Sequence, residues 1–232
     1  MKKEAIVISK KYILTQSAEG YVIVDTGSPS SYHESGKLTF GGVSHACPTS
    51  VIGVDGRALS TEVGLPVVGL VGMDIMNTYN HIFFDCNNAQ ITVDDDRRDV
   101  SDTIPLPSGS IMGVPYIDIP VENRRARIFL DTGAPISYIS GSYTNNLTPK
   151  DSVQDYNPVL GKFRTDIYEV RVGIGADTHV MSFGNLSTPV QMALKLVGID
   201  GIIGYELFSR YGLLYQDGRW YAYTSGKPQS VQ

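Results

Sequence analysis

Short apolar runs broken by glycine, proline and asparagine turns fill most of this chain, and few stretches carry the spacing of a long amphipathic helix. Ala5-Ile6-Val7-Ile8 and Tyr12-Ile13-Leu14-Thr15 predict two strands that pair across Ser9-Lys10-Lys11. Ser17-Ala18-Glu19-Gly20 predicts a turn. Tyr21-Val22-Ile23-Val24 is apolar without alternation, as a strand covered on both faces requires. Leu38-Thr39-Phe40 and Val51-Ile52-Gly53-Val54 predict further strands, with hairpin turns at Gly41-Gly42 and Asp55-Gly56. Val67-Val68-Gly69-Leu70-Val71-Gly72 leads into a short helix whose apolar residues Ile75, Met76 and Tyr79 share one face. Residues 82–85 and 90–93 then bracket Asn87-Asn88 as a hairpin.

The second half follows the same plan. Residues 103–106 predict a short strand that its proline keeps from a central position. Residues 116–121 and 126–130 form a hairpin around Glu122-Asn123-Arg124. Residues 141–190 make a longer insert, in which residues 168–175 alternate like a half-buried strand and turn at Ala176-Asp177-Thr178 toward residues 179–183. From Gly198 to Tyr211 the chain matches the first half, Gly72 with Gly204, Asp74 with Glu206, Ile75 with Leu207, Met76 with Phe208 and Tyr79 with Tyr211. The closing hairpins, residues 82–93 and 213–223, also correspond.

One ten-residue stretch occurs twice and organises this duplication. Asp25-Thr26-Gly27-Ser28-Pro29-Ser30-Ser31-Tyr32-His33-Glu34 returns as Asp131-Thr132-Gly133-Ala134-Pro135-Ile136-Ser137-Tyr138-Ile139-Ser140, 106 positions later. Each copy follows an apolar run. The matching glycines Gly72 and Gly204 lie 132 positions apart, so the second half is longer by 26 residues between the two motifs. Two such units most simply pack as a pseudo-symmetric pair, which brings equivalent points together near the axis. The polar run Asp94-Asp95-Asp96-Arg97-Arg98-Asp99 marks the boundary between a unit of residues 1–98 and one of residues 99–232.

Composition narrows the class. Of 232 residues, 42% are hydrophobic and 19% charged, enough for a core and too apolar for wholesale disorder. Plentiful glycine, proline and tyrosine favour a mainly β protein with many turns. The net charge of −5, with no basic patch interleaved with aromatics, argues against nucleic acid as a partner. No run approaches the roughly 18 apolar residues of a membrane helix, so a membrane partner is not expected. The apolar run after Lys2-Lys3 is too short for a leader peptide, so the expected location is cytoplasmic unless a leader has been removed. Cys47 and Cys86 read as free thiols in a chain that needs no staple. His45-Ala46-Cys47 has no second pair at ligand spacing, so neither a metal nor a cofactor is expected. Asn146-Leu147-Thr148 and Asn185-Leu186-Ser187 fit the glycosylation sequon but read as coincidence here.

Two carboxylates that face each other in a semi-buried cleft share one proton, because both cannot ionise together. The ionised member can draw a proton from water while the protonated member polarises a carbonyl. Glycine lets the backbone approach the acid, and Thr26 and Thr132 can hydrogen-bond across to the opposite strand and lock the two turns together. Ser28 is expected to hydrogen-bond its own Asp25, which Ala134 cannot do for Asp131. Tyr32 and Tyr138 are expected mainly in packing, with cleft-lining the lesser role.

Asp25-Thr26-Gly27-Ser28 and Asp131-Thr132-Gly133-Ala134 after apolar strands, each followed by an apolar-apolar-glycine stretch at Leu70-Val71-Gly72 or Ile202-Ile203-Gly204, resemble the pepsin and retropepsin superfamily of aspartic proteases. The resemblance covers about residues 5–223. It implies an all-β, bilobal fold from two retropepsin-sized lobes with pseudo-two-fold symmetry. It implies a cleft for an extended peptide or protein substrate, Asp25 and Asp131 as the catalytic dyad, and Thr26, Gly27, Ser28, Thr132, Gly133 and Ala134 in support. Gly72 and Gly204 would sit in the ψ-shaped loops that brace the two turns. Both halves lie in one chain, so a monomer suffices.

The family covers its substrate with a β-hairpin flap. The first half has only 46 residues between Asp25 and Gly72, and its candidate flap at residues 38–43 lacks a tyrosine. Tyr156-Asn157-Pro158-Val159-Leu160-Gly161-Lys162-Phe163 in the second half is the other candidate. The leading expectation is an endopeptidase that cuts between apolar side chains. The alternatives are a peptide-binding module that keeps the fold with little or no turnover, and a processing enzyme with a single cellular substrate.

Overall fold

The computed structural model describes residues 2–51, 56–94, 96–157 and 161–224. Its elements run in order as β1 (Lys2–Ser9), β2 (Tyr12–Gln16), β3 (Tyr21–Val24), β4 (Tyr32–His33), β5 (Lys37–Phe40), β6 (Val43–Ala46), α1 (Gly56–Val63), β7 (Val67–Val71), α2 (Met73–Met76), β8 (His81–Asp85) and β9 (Gln90–Asp94). The second half supplies β10 (Ile104–Leu106), β11 (Ser108–Ile111), β12 (Val114–Val121), β13 (Arg124–Leu130), β14 (Ser137–Ile139), β15 (Asp151–Asn157), β16 (Gly161–Ile174), β17 (Asp177–Asn185), α3 (Thr188–Leu196), β18 (Gly201–Ile203), α4 (Tyr205–Arg210), β19 (Tyr211–Gln216) and β20 (Arg219–Thr224).

The fold is all-β and two-lobed. A ten-stranded sheet runs β10-β20-β19-β8-β9-β1-β2-β3-β7-β4, and an eight-stranded sheet runs β11-β12-β13-β18-β14-β17-β16-β15. The larger sheet joins the halves, because β8 pairs with β19 antiparallel, Phe84 opposite Leu213. Phe84 stacks on Trp220 at 5.9 Å between ring centres and meets Phe208 edge-on at 5.4 Å, so aromatic side chains from both halves fill one core. Pro105 sits on β10, at the sheet's edge, where a missing N–H costs least. Cys47 and Cys86 are free thiols.

The turns follow backbone chemistry. Lys10 and Lys11 both take positive φ, the geometry of a tight two-residue hairpin, and pair Ser9 with Tyr12. Gly41 and Gly42 do the same between β5 and β6.

Three expectations change and one goes untested. Gly56 opens a helix instead of closing a turn, because Leu59 and Val63, four residues apart, bury one face against β7. The strand expected over residues 51–54 falls mostly outside the described residues. The helix after Gly72 stops at Met76, and Tyr79 follows in a turn with its hydroxyl on the Phe40 carbonyl at 2.5 Å. The insert carries an unanticipated helix, α3, whose Met192 and Leu196 are exposed.

Candidate active site

Both repeats are built alike from the strand upward. Val22, Ile23 and Val24 are buried, so β3 runs through the core and ends at Asp25. Strand β7 lies parallel beside it and accepts the Asp25 N–H on the Val71 carbonyl at 2.9 Å. Strand β4 returns antiparallel on the other side of β7. In the second lobe β18 lies between β13 and β14 in the same way, and the Asp131 N–H reaches the Ile203 carbonyl at 3.0 Å.

A buried serine closes each loop. The Gly72 N–H donates to Ser31 Oγ at 2.8 Å, and the Gly204 N–H to Ser137 Oγ at 3.0 Å. A Cβ on Gly72 would come within 2.8 Å of the Ser28 and Ser30 carbonyl oxygens, and one on Gly204 would strike the Ala134 carbonyl. Only glycine fits at either point. Ser31 is held in turn by Asp74, through hydroxyl to Oδ1 at 2.5 Å and backbone N–H to Oδ2 at 3.1 Å. The longer Glu206 reaches the Ser182 N–H instead, so the lobes brace their loops differently.

The two turns meet. Thr26 N–H donates to Thr132 Oγ1 at 2.9 Å, and Thr132 N–H to Thr26 Oγ1 at 3.0 Å. Each hydroxyl donates onward across the interface, Thr26 to the Leu130 carbonyl at 2.8 Å and Thr132 to the Val24 carbonyl at 2.6 Å. Both side chains are fully buried. Asp25 Oδ1 accepts the Gly27 N–H at 2.8 Å, and Asp131 Oδ1 accepts the Gly133 N–H at 2.9 Å. The carboxyls lie against each other's glycine. A Cβ on Gly133 would come within 2.5 Å of the Asp25 carboxyl carbon, and one on Gly27 would run into the Asp131 carboxyl.

Burial raises the Asp25 carboxyl well above the usual carboxylate range, helped by the Asp131 charge and a hydrogen bond between the two carboxyls. Burial also raises Asp131, but the hydrogen bond from Asp25 and the N–H groups of Gly133, Ala134 and Gly27 oppose the rise. The pair therefore favours one shared proton. Ser28 does not act as expected. Its hydroxyl donates to the Ser30 carbonyl at 2.8 Å and leaves Asp25 to backbone donors.

A cavity of about 190 Å³ opens beside the dyad. Ile23, Leu59 and Leu70 wall it from the first lobe, and Tyr138, Leu186 and Val190 from the second. Its remaining wall includes Asp155 and Tyr156 of β15 and Phe163 of β16. This hairpin reaches across the cleft, for Tyr156 packs on the first-lobe cluster that holds Tyr12 and Leu59. Its tip, residues 158–160, is outside the described residues. The first-half candidate flap is elsewhere: Leu38 and Phe40 are buried in the main core, and nothing from β5 or β6 lines the cavity. Tyr138 lines the cavity and donates its hydroxyl to Asp155, whereas Tyr32 is buried in the small first-lobe cluster.

No family model and no curated protein matches the sequence. Solved structures are similar to this chain in three dimensions. An aspartic proteinase from Irpex lacteus is similar over 99% of this chain and 99% of its own, with a TM-score of 0.51 and 14% identity. A retropepsin-like aspartic protease from Rickettsia conorii aligns with 52% of this chain and 90% of its own, with a TM-score of 0.39 and 15% identity. The fold is therefore that of the pepsin-like aspartic proteinases.

The residues singled out in the sequence converge on one place. Asp25, Thr26, Gly27, Thr132, Gly133 and Asp131 meet at the lobe interface, and Gly72 and Gly204 stand behind them. Ser31 and Ser137 were visible as the one serine shared by the repeats, though nothing in the pattern gave them a role. Asp155, Leu59 and Phe163 carried no repeat signal, since they lie in segments that differ between the halves.

Proposed function

We propose that this protein is an aspartic endopeptidase, hydrolysing peptide bonds with a water held between Asp25 and Asp131. The observation that carries this reading is the mutual packing of the two acids, each against the other's glycine. Asp131, with the richer set of N–H donors, takes a proton from water, and the water oxygen attacks the scissile carbonyl carbon. Asp25 gives its proton to the carbonyl oxygen, forming a gem-diol. Asp131 then passes its proton to the leaving nitrogen, the C–N bond breaks, and a diol hydroxyl returns a proton to Asp25. One water is consumed and the dyad ends as it began. The Thr26–Thr132 hydrogen bonds hold the two turns together so that the carboxyls stay close enough to share the proton. The hairpin β15–β16 covers the bound segment from the second lobe, and the apolar cavity walls accept side chains beside the cut.

Digestion of a complex peptide mixture across pH 3–8, with new termini read by mass spectrometry, tests the proposal. Cuts should accumulate fastest on the acid side, where the dyad carries one proton, and a statine-type transition-state mimic should suppress them. A mixture left intact at every pH, with the mimic still bound, would instead identify a peptide-binding module.

A further inference from the structure

The cavity beside the dyad is unbalanced in charge. Its charged wall residues are Asp25, Asp131 and Asp155, and among the described residues no lysine, arginine or histidine lines it. Asp155 is only 7% exposed. The groups that meet its carboxylate are the Tyr138 hydroxyl and the Tyr156 N–H, both neutral, and burial, together with the charge of another acid, Glu62, raises its carboxyl above the usual range. A buried carboxylate without a cation is costly to keep. Asp155 lines the same cavity as Asp25 and Asp131, so the third acid belongs to the cleft in which a bond would be cut.

We propose that Asp155 selects substrates that place a lysine or arginine side chain in this pocket. The reading rests on the proposed hydrolytic cleft and names its substrate class. The walls suit such a side chain along its length. Leu59, Tyr12, Tyr156 and Phe163 offer apolar and aromatic surface to the methylene stem, and Asp155 receives the cationic end. Tyr138 donates to one carboxylate oxygen, and Asp155 lines the cavity beside it. An uncharged side chain of the same length fills the same walls but leaves Asp155 uncompensated, so discrimination comes from the charge and not from the fit.

The test uses non-hydrolysable statine peptides in pairs that differ only by lysine against norleucine, with that residue walked through the positions on either side of the statine. Affinities are measured by calorimetry at about pH 7 for the wild type, Asp155→Asn and Asp155→Glu. Asparagine keeps an acceptor for Tyr138 and nearly the same volume, and glutamate keeps the charge. At one position lysine should bind about 10-fold tighter than norleucine, as one charge-assisted contact would give. Asp155→Asn should bring the two within about twofold, and Asp155→Glu should retain much of the preference. Equal binding of the pair at every position, a preference that survives Asp155→Asn, or no binding of either peptide would overturn the proposal. Turnover of a fluorogenic peptide, followed in parallel, reports on hydrolysis by itself. A protein that cuts norleucine peptides without regard to charge keeps the hydrolytic reading and loses this one. A protein that prefers lysine but cuts nothing does the reverse.

Discussion

Thr26 and Thr132 each accept the other's backbone N–H on a side-chain hydroxyl, and each passes its own hydroxyl proton to the strand that delivers the opposite acid. The geometry of the two acids is thus set by residues from opposite lobes. Thr26→Val keeps the shape but leaves the Thr132 N–H and the Leu130 carbonyl without partners in a dry interface. Each orphaned group costs about 1–3 kcal/mol, so a loss of about 2–6 kcal/mol is expected in denaturant unfolding. Thr26→Ser, which keeps the hydroxyl, should lose less than about 1 kcal/mol.

Gly133→Ala tests the close approach of the acids. The added Cβ meets the Asp25 carboxyl, so that carboxyl must turn away from its partner. Peptide turnover should fall by about 100-fold or more, the scale expected when a catalytic group is displaced by about an ångström. A variant with full turnover would show that the acids need not touch.

Stability should depend on pH in a stated direction. Asp25 has a folded-state pKa above its unfolded value, chiefly through burial. Between those two values the native state binds more protons than the unfolded state, so stability falls as pH rises through the window. Below the unfolded pKa the carboxyl is protonated in both states and this penalty vanishes. Asp25→Asn removes the ionisation. Its melting temperature should exceed the wild type's near pH 7, by about 2–4 °C for each kcal/mol gained in a chain of this size, and the difference should shrink toward pH 3–4. An equal difference at both pH values would contradict the assignment.

The covering hairpin gives a contrast between two aromatics. Tyr156 packs from the second lobe onto the first-lobe cluster beside the cavity, whereas Phe40 is fully buried in the main core. Tyr156→Ala should raise KM for peptide by about 10-fold, the effect of losing roughly 1.4 kcal/mol of substrate contact. Phe40→Ala should cost about 3–5 kcal/mol of stability with little change in KM of the folded fraction.

Much of the site could be read in the chain because its parts repeat. An acid after an apolar run, then threonine and glycine, appears twice, and the later apolar-apolar-glycine stretch appears twice, so one copy tests the other. Strands with continuous burial, such as Tyr21–Val24, and turns with demanding backbones, such as Gly41-Gly42, carried equally direct signals. What could not be read is what breaks the symmetry. Helix α1 rests on a single pair of apolar residues, Leu59 and Val63, next to a glycine that also suits a turn. The Ser28 hydroxyl had two acceptors within reach of a short turn, and only the loop's path decides for Ser30. Asp155 reads as one polar residue in the longer insert, just before the flap candidate, and its burial arises from packing in the folded cleft.

Turnover of Asp25→Asn and Asp131→Asn against the wild type, on one peptide at the pH of fastest cleavage, tests the central claim most directly. Each variant keeps the volume and the backbone acceptor of the acid but cannot share the dyad's proton. Both should retain the fold and each should lose at least about 1,000-fold in kcat, since removing either acid disables the same unit. Turnover within about tenfold of the wild type in either variant would contradict a hydrolytic dyad of Asp25 and Asp131.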